Sequence, residues 1–420
     1  MLHQVIPLQR ALALLFASAL SIAPATLWGH GAPPEGKEIF VVDGGWVYLT
    51  NFGVMTSEKP MHYVCEEAFF AHANFTVAPF ALDRWATFSR TAATVTTDGC
   101  GFDVRLGLPG APRAVAVSDD TEEVAITVRD EGASEIWHSP DGGITWDLVD
   151  VDFDGILLGS LGFLGPGEVV AVGYLTDEER RGEAVLARVD LGTGDRVDLE
   201  VDSDLVYPDL LDARGGDLLW HARRDGATEV FWSHGDDLVA GKYVSANWPT
   251  SGALAPDKSR AYLGGVDEDN RGVFRAHRGD PSTWEEVVPG HRALCLAVDG
   301  DDLLVCGHRR DDGHDLARWR AGEELEALVD FRSLEGFRQD CPEGTRVPQT
   351  CPPVWPELAQ ALGITIDEED AHHAPAEEGS EAPPDESSGR CSTTGNSGSG
   401  TLLIALLLIG WAVRRRPTAG

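Results

Sequence analysis

The sequence has too few cations to grip a polyanion. Its 33 Lys and Arg stand against 69 Asp and Glu, a net charge of −36. That balance argues against nucleic acid or an anionic membrane surface as a partner. Solubility outside the cell accounts for the acidity more simply than a cation-binding role. Catalytic signatures are missing as well. There is no GxSxG, HExxH or P-loop pattern. No CxxC spacing exists, so neither a metal site nor a cofactor is expected. Tyrosine is scarce, with six residues at 48, 63, 174, 207, 243 and 262, none beside a recognisable partner. No long helical period occurs before about residue 355.

What is present is turn chemistry and short apolar runs. The 47 Gly and 24 Pro suit a turn-rich β protein. Residues 1–25 have a short polar start, a Leu-rich stretch and Ala23-Pro24-Ala25, the pattern of a cleaved signal peptide. From residue 38 strand-like runs alternate with turns. Ile39–Val42 and Trp46–Thr50 flank Asp43-Gly44-Gly45, a hairpin signal. Similar runs recur at 114–117, 124–128, 169–172, 184–187, 229–232 and 273–274.

The most informative stretch is Ser139-Pro140-Asp141-Gly142-Gly143-Ile144-Thr145-Trp146. Ser139 and Asp141 can turn their oxygens onto the N–H groups of their own turn. Gly142 and Gly143 can take positive φ. Thr145 and Trp146 are expected to start the next strand. This octapeptide matches S-x-D-x-G-x-T-W and resembles the Asp-box of sialidase-like β-propellers. In that family the box is structural and lies away from the catalytic face. Thr96-Thr97-Asp98-Gly99-Cys100 is a degenerate copy. Looser echoes and turns fall near 59, 192, 236, 280 and 320, a spacing of about one four-stranded blade. The expected fold is all-β: a propeller over 38–340 of seven blades, with six or eight as alternatives.

The seven cysteines imply disulfides with one left over. Cys295 and Cys306 stand opposite each other across the turn Asp299–Asp302 and are expected to bond. Cys341–Cys351 would close a short loop, leaving Cys65–Cys100 by elimination. Residues 341–366 should hold that loop and a short helix over 354–362 stopped by Gly363, packed on the propeller. Residues 367–400 read as an acidic disordered linker, with Cys391 as the odd cysteine. Residues 401–416 are a short apolar run and an Arg cluster, marginal for crossing a ~30 Å hydrocarbon core. This tail is similar to the C-terminal sorting signal of myxobacterial surface proteins. The resemblance implies processing or lipid attachment at Cys391, envelope sorting machinery as a partner, and membrane anchoring at the cell surface.

Sialidase chemistry needs an arginine triad and a Tyr/Glu pair, with an Arg-Ile-Pro-type motif before the first blades; none is evident here. The Arg pairs at 180–181, 223–224 and 309–310 read as exposed loop charges. No catalytic residue is therefore assigned. The expected function is a non-catalytic binding module for glycan or protein across the ring face. A divergent glycan hydrolase or lyase is the alternative, and a structural envelope protein the second.

Overall fold

The computed structural model describes residues 34–365, apart from 59–60, 62, 70–74, 119–121, 131–132, 235–236, 246–247 and 266–270. The signal, linker and sorting-tail readings, Cys391 included, lie outside the described residues.

Seven four-stranded antiparallel sheets form the chain, each built from consecutive strands. They span 36–65, 76–107, 112–148, 156–198, 206–245, 251–289 and 295–329. This is a seven-bladed β-propeller. The first strand of every blade lines a central channel, and the fourth lies at the rim. One face carries the first-to-second and third-to-fourth hairpins. The other, the linker face, carries the second-to-third hairpins and the links between blades.

The apolar pattern follows from this stacking. A middle strand is covered on both sides by neighbouring blades, so it reads as a continuous apolar run rather than an alternation. Val169–Val172 are fully buried, and so are Val124–Ile126. The core is accordingly divided among the blade interfaces. One cluster joins Ala125 and Ile136 of blade 3 to Val169 and Ala171 of blade 4. Another joins Val170 and Val172 to Trp220 and Phe231 of blade 5.

Among the described residues, the turns that set the blade spacing fall at one topological place. The regions near 98, 141, 192 and 320 lie between the third and fourth strands of their blades, and Asp280 opens a fourth strand. Residues 59–60 and 235–236 fall outside the described residues.

Blade 1 comes wholly from one end of this region and blade 7 wholly from the other, so no shared strand closes the ring. Closure is made by side chains and by a strap. Tyr48 of blade 1 is fully buried and donates its hydroxyl to the Asp315 carbonyl of blade 7 at 2.8 Å. Residues 330–365 then cross the rim of blade 1. The Tyr63 N–H donates to Gly336 O at 3.3 Å, and the Arg338 N–H donates to Tyr63 O at 3.0 Å. The strap reaches blade 2 as well, where the Val347 N–H donates to Cys100 O at 3.2 Å.

Two disulfides fix the strap, and they correct the expected pairing. Cys65 is bonded to Cys351 and Cys100 to Cys341, with Cα separations of 5.5 and 5.4 Å. Cys65–Cys100 and Cys341–Cys351 do not form. Cys65 ends the fourth strand of blade 1, whereas Cys100 sits in the turn before the fourth strand of blade 2. The strap takes one cysteine from each blade. Cys341 precedes the helix Arg346–Leu362, and Cys351 lies inside it, so the two face different blades. Cys295 and Cys306 are bonded across blade 7, where they are direct register partners.

The helix itself is longer than expected. It begins at Arg346 and runs through Pro352, Pro353 and Pro356 before ending at Gly363. An interior proline removes a backbone bond and costs about 3 kcal/mol. Here the buried positions Val347, Cys351, Ala359 and Leu362 hold the helix against the ring despite that cost.

Candidate functional site

The Asp-box is occupied by its own turn. Ser139 Oγ accepts from the Gly143 N–H at 2.7 Å and donates to Asp141 Oδ1 at 3.0 Å. Asp141 also accepts from the Thr145 N–H and hydroxyl, both at 2.8 Å. Gly142 and Gly143 take φ of 71° and 85°. Thr145 and Trp146 do not start a strand; pairing begins at Asp147 because the carboxylate holds Thr145 in the turn. Trp146 donates its ring N–H to Gly143 O at 2.8 Å, and its edge meets Phe88 of blade 2 at 5.7 Å. The degenerate copy behaves alike: Asp98 accepts from the Cys100 and Gly101 N–H groups at 2.8 and 2.9 Å, and Thr96 from that of Gly99 at 2.8 Å.

Partial burial alone would raise the Asp141 pKa, but the bonds from Thr145 and Ser139 outweigh it and hold it below the usual range. Its contribution is therefore present above the ordinary carboxylate pKa and is lost as pH falls through the lowered value. Asp141→Ala should cost about 1–2 kcal/mol in urea unfolding at pH 7 and much less near pH 2, with ligand binding unchanged.

The linker face carries two exposed aromatic rings, Tyr207 and Trp248. Tyr207, at the start of blade 5, packs toward blade 4, while Arg223 pairs with Trp248 of the link between blades 5 and 6. Val206, not Tyr207, is the register partner of Arg223, and the register shifts between Val206 and Asp209. The Arg223 guanidinium lies over the Trp248 ring at 5.6 Å. Tyr207 and Trp248 are 42% and 40% exposed, unusual for such large rings. Tyr207 sits at φ 51° although it is not glycine and precedes a proline. That backbone is strained, and surrounding contacts hold it. Its N–H donates to Gly182 O at 2.8 Å, its ring meets Tyr174 edge-on at 5.3 Å, and it lies where a Cβ on Gly182 would stand. Behind Trp248, burial pushes His221 down to about 4 and keeps it neutral.

The arginine pairs separate into two uses. Arg180 pairs with Asp177 at 3.2 Å, Arg224 with Asp202 at 2.6 Å, and Arg309 with Asp330. Arg223 instead stacks on an aromatic ring and donates to Gly226 O at 3.1 Å. Of the tyrosines, 48, 63 and 262 are fully buried.

Between the blades runs a channel of about 1830 Å³. Its middle is lined by small or apolar residues such as Val115, Leu211, Gly252 and Ala297. At the linker-face end stand Glu38, Arg113, Ser160 and Asp209. Glu38 is open to channel water yet enclosed by the ring, and that enclosure raises its pKa to about 7. Enclosure also raises Asp209, against hydrogen bonds from Ser160 and the Leu210 N–H.

From the sequence, Tyr207 was only one of six tyrosines and Arg223 only an exposed loop charge; Trp248, Glu38 and Asp209 were not singled out. One signal was available. Tyr207-Pro208 and Trp248-Pro249 are aromatic–proline pairs about one blade apart, each at the entry to a first strand.

Seven contiguous blades define the class as a β-propeller. No protein-family model and no curated protein matches the chain. Among solved structures, the β-propeller domain of the Trilobed protease from Pyrococcus furiosus, which has an open velcro topology, is similar at a TM-score of 0.50 and 9% identity. That match covers 71% of this chain and 99% of the other. YCF48 bound to D1 peptide is similar at 0.43 and 14% identity, covering 63% and 83%. TolB from Acinetobacter baumannii is similar at 0.38 and 12% identity, covering 70% and 79%. These likenesses concern the fold alone. The disulfides fit an exported protein. Among the described residues no helix is long and apolar enough to cross a membrane.

Proposed function

We propose that the protein is an exported, non-catalytic propeller that binds a glycan or protein ligand across its linker face. One observation carries this: two large exposed rings on that face, Tyr207 held on a strained backbone and Trp248 under the Arg223 guanidinium. Tyr, Trp and Arg dominate the energetic centres of binding surfaces, because each gives large contact area and a polar handle. The sialidase-like kinship rests on the Asp-box, whose groups serve only their own turn. Display at the cell surface through the tail near Cys391 belongs to the same proposal.

The test is retention of envelope polysaccharides and surface proteins by the immobilised protein. Trp248→Ala and Tyr207→Asn, the latter tolerant of positive φ, should each weaken retention about tenfold or more, with the melting curve nearly unchanged. Retention indifferent to both variants would move the site elsewhere. A glycan hydrolase is the second reading, favoured by the two carboxylates, Glu38 and Asp209, in one channel mouth. New reducing ends, lost in Glu38→Gln, would select it.

A further inference from the structure

We infer that the seam between blades 6 and 7 on the linker face is a binding site for a tetrahedral oxyanion, a sulfate or phosphate group, with Arg271, Arg292 and His308 as its donors. It lies one blade further round the ring than the link that carries Trp248, and it does not rest on what the aromatic rings bind.

Three segments converge there. Arg271 comes from the hairpin between the second and third strands of blade 6, Arg292 from the link between blades 6 and 7, and His308 from the second-to-third hairpin of blade 7. All three side chains approach one atom, Asp311 Oδ2: Arg271 Nη2 at 3.5 Å, Arg292 Nη1 at 3.4 Å and His308 Nδ1 at 3.4 Å. Asp312 ties two of the segments together, its carboxylate accepting from the Arg292 N–H at 3.2 Å and the His308 N–H at 2.7 Å. The donors are therefore in place before any ligand arrives. Their side chains are 31%, 30% and 29% exposed, so the place is open to solvent. Arg309 takes no part, being engaged with Asp330 and Asp315.

These donors are poorly used. Bonds from arginine to carboxylate ordinarily close to about 2.7–2.9 Å, and Arg224–Asp202 and Arg260–Asp301 reach 2.6 and 2.8 Å. Every approach to Asp311 is longer. Arg271 Nε, Arg292 Nε and His308 Nδ1 are buried and have no hydrogen-bond partner among the described residues. A fourth such nitrogen is Nε2 of His314, which is 6% exposed and packs against Gly307, the residue before His308. Buried donors without an acceptor are costly, and water or a ligand ordinarily serves them. A planar carboxylate already occupies the place and does not serve them, because one oxygen of Asp311 faces all three side chains. A tetrahedral group has three oxygens that point apart, one for each donor segment, and guanidinium forks bind it well. The charge suits it too, since two guanidiniums share the one Asp311 carboxylate in a chain where acids outnumber bases 69 to 33. That acidity repels anions from the rest of the surface, so a single site is expected.

The test is calorimetric titration of the full-length protein with glucose 6-sulfate and glucose 6-phosphate at constant ionic strength. Glucuronate and glucose serve as the planar-carboxylate and neutral controls. At least one ester should bind at a single site, about tenfold tighter than glucuronate, and which ester binds names the source. Arg271→Gln and Arg292→Gln should each lower that affinity about tenfold, the usual effect of losing a charge-assisted hydrogen bond. Arg180→Gln, which alters an exposed arginine on the same face, should not change it. Asp311→Asn removes the carboxylate that competes for the donors, so affinity should rise about tenfold. A variant that had merely lost its fold could not bind more tightly. Trp248→Ala should leave the affinity unchanged, which separates this site from the aromatic one. Equal binding of glucuronate and the esters would overturn the inference, as would no binding of either ester. So would arginine variants that bind like the parent, or an Asp311→Asn protein that binds no tighter than the parent.

Discussion

Breaking either strap disulfide alone should cost about 3–4 kcal/mol, and breaking both should cost about 5 kcal/mol more than breaking one. The reason is the nesting of the two bonds. Cys65–Cys351 and Cys100–Cys341 span 286 and 241 residues. While one survives, removing the other reopens only the short arms between Cys65 and Cys100 and between Cys341 and Cys351. Removing both reopens the whole ring, and the freed chain entropy grows with that loop. Urea unfolding of Cys351→Ser, Cys341→Ser and the double variant checks this. The double variant should also expose the strap to limited proteolysis before the blades unfold. Additive losses from two independent sites would contradict the nesting.

Tyr48→Ala should cost about 3–5 kcal/mol, the range for removing a fully buried ring. Tyr48 is enclosed at the junction of blades 1 and 7, stacked near Phe331 at 6.0 Å and edge-on to Trp46 at 6.4 Å. Tyr48→Phe keeps the ring and leaves the Asp315 carbonyl without its hydroxyl donor, which should cost about 1–2 kcal/mol. The difference between the two variants separates packing from the hydrogen bond. Chemical unfolding at pH 7 measures both. If Tyr48→Ala fell within about 1 kcal/mol of the parent, the seam between the first and last blades would not depend on this contact.

The blades were readable because their signals are local. A turn such as Asp190–Gly194 or Ser139–Trp146 is specified by side chains that bond to their own backbone, so it announces itself in a few residues. Asp190 Oδ1 accepts from the Gly192 and Thr193 N–H groups at 2.9 and 2.8 Å, within the turn the spacing had placed there. Cys295 and Cys306 were readable for the same reason: one hairpin sets both.

The strap was not readable, because its contacts span most of the chain. Cys341 and Cys351 are near in sequence and look like partners until the helix between them is known to begin at Arg346. Pro352-Pro353 hides that helix by the ordinary rules of propensity. The linker-face site was obscured in another way. Tyr207 and Arg223 lie on different strands and Trp248 in the link between two blades, so their common face emerges only once the blades are placed. Glu38 is one acidic residue among 69 until the ring encloses it.

The most direct test is a peptide map of the intact protein digested without reduction. Fragments joining Cys65 to Cys351 and Cys100 to Cys341 are expected, with Cys295 joined to Cys306. Fragments joining Cys65 to Cys100 and Cys341 to Cys351 would contradict the account. The strap would then be a local loop, and the ring would be held closed by packing alone.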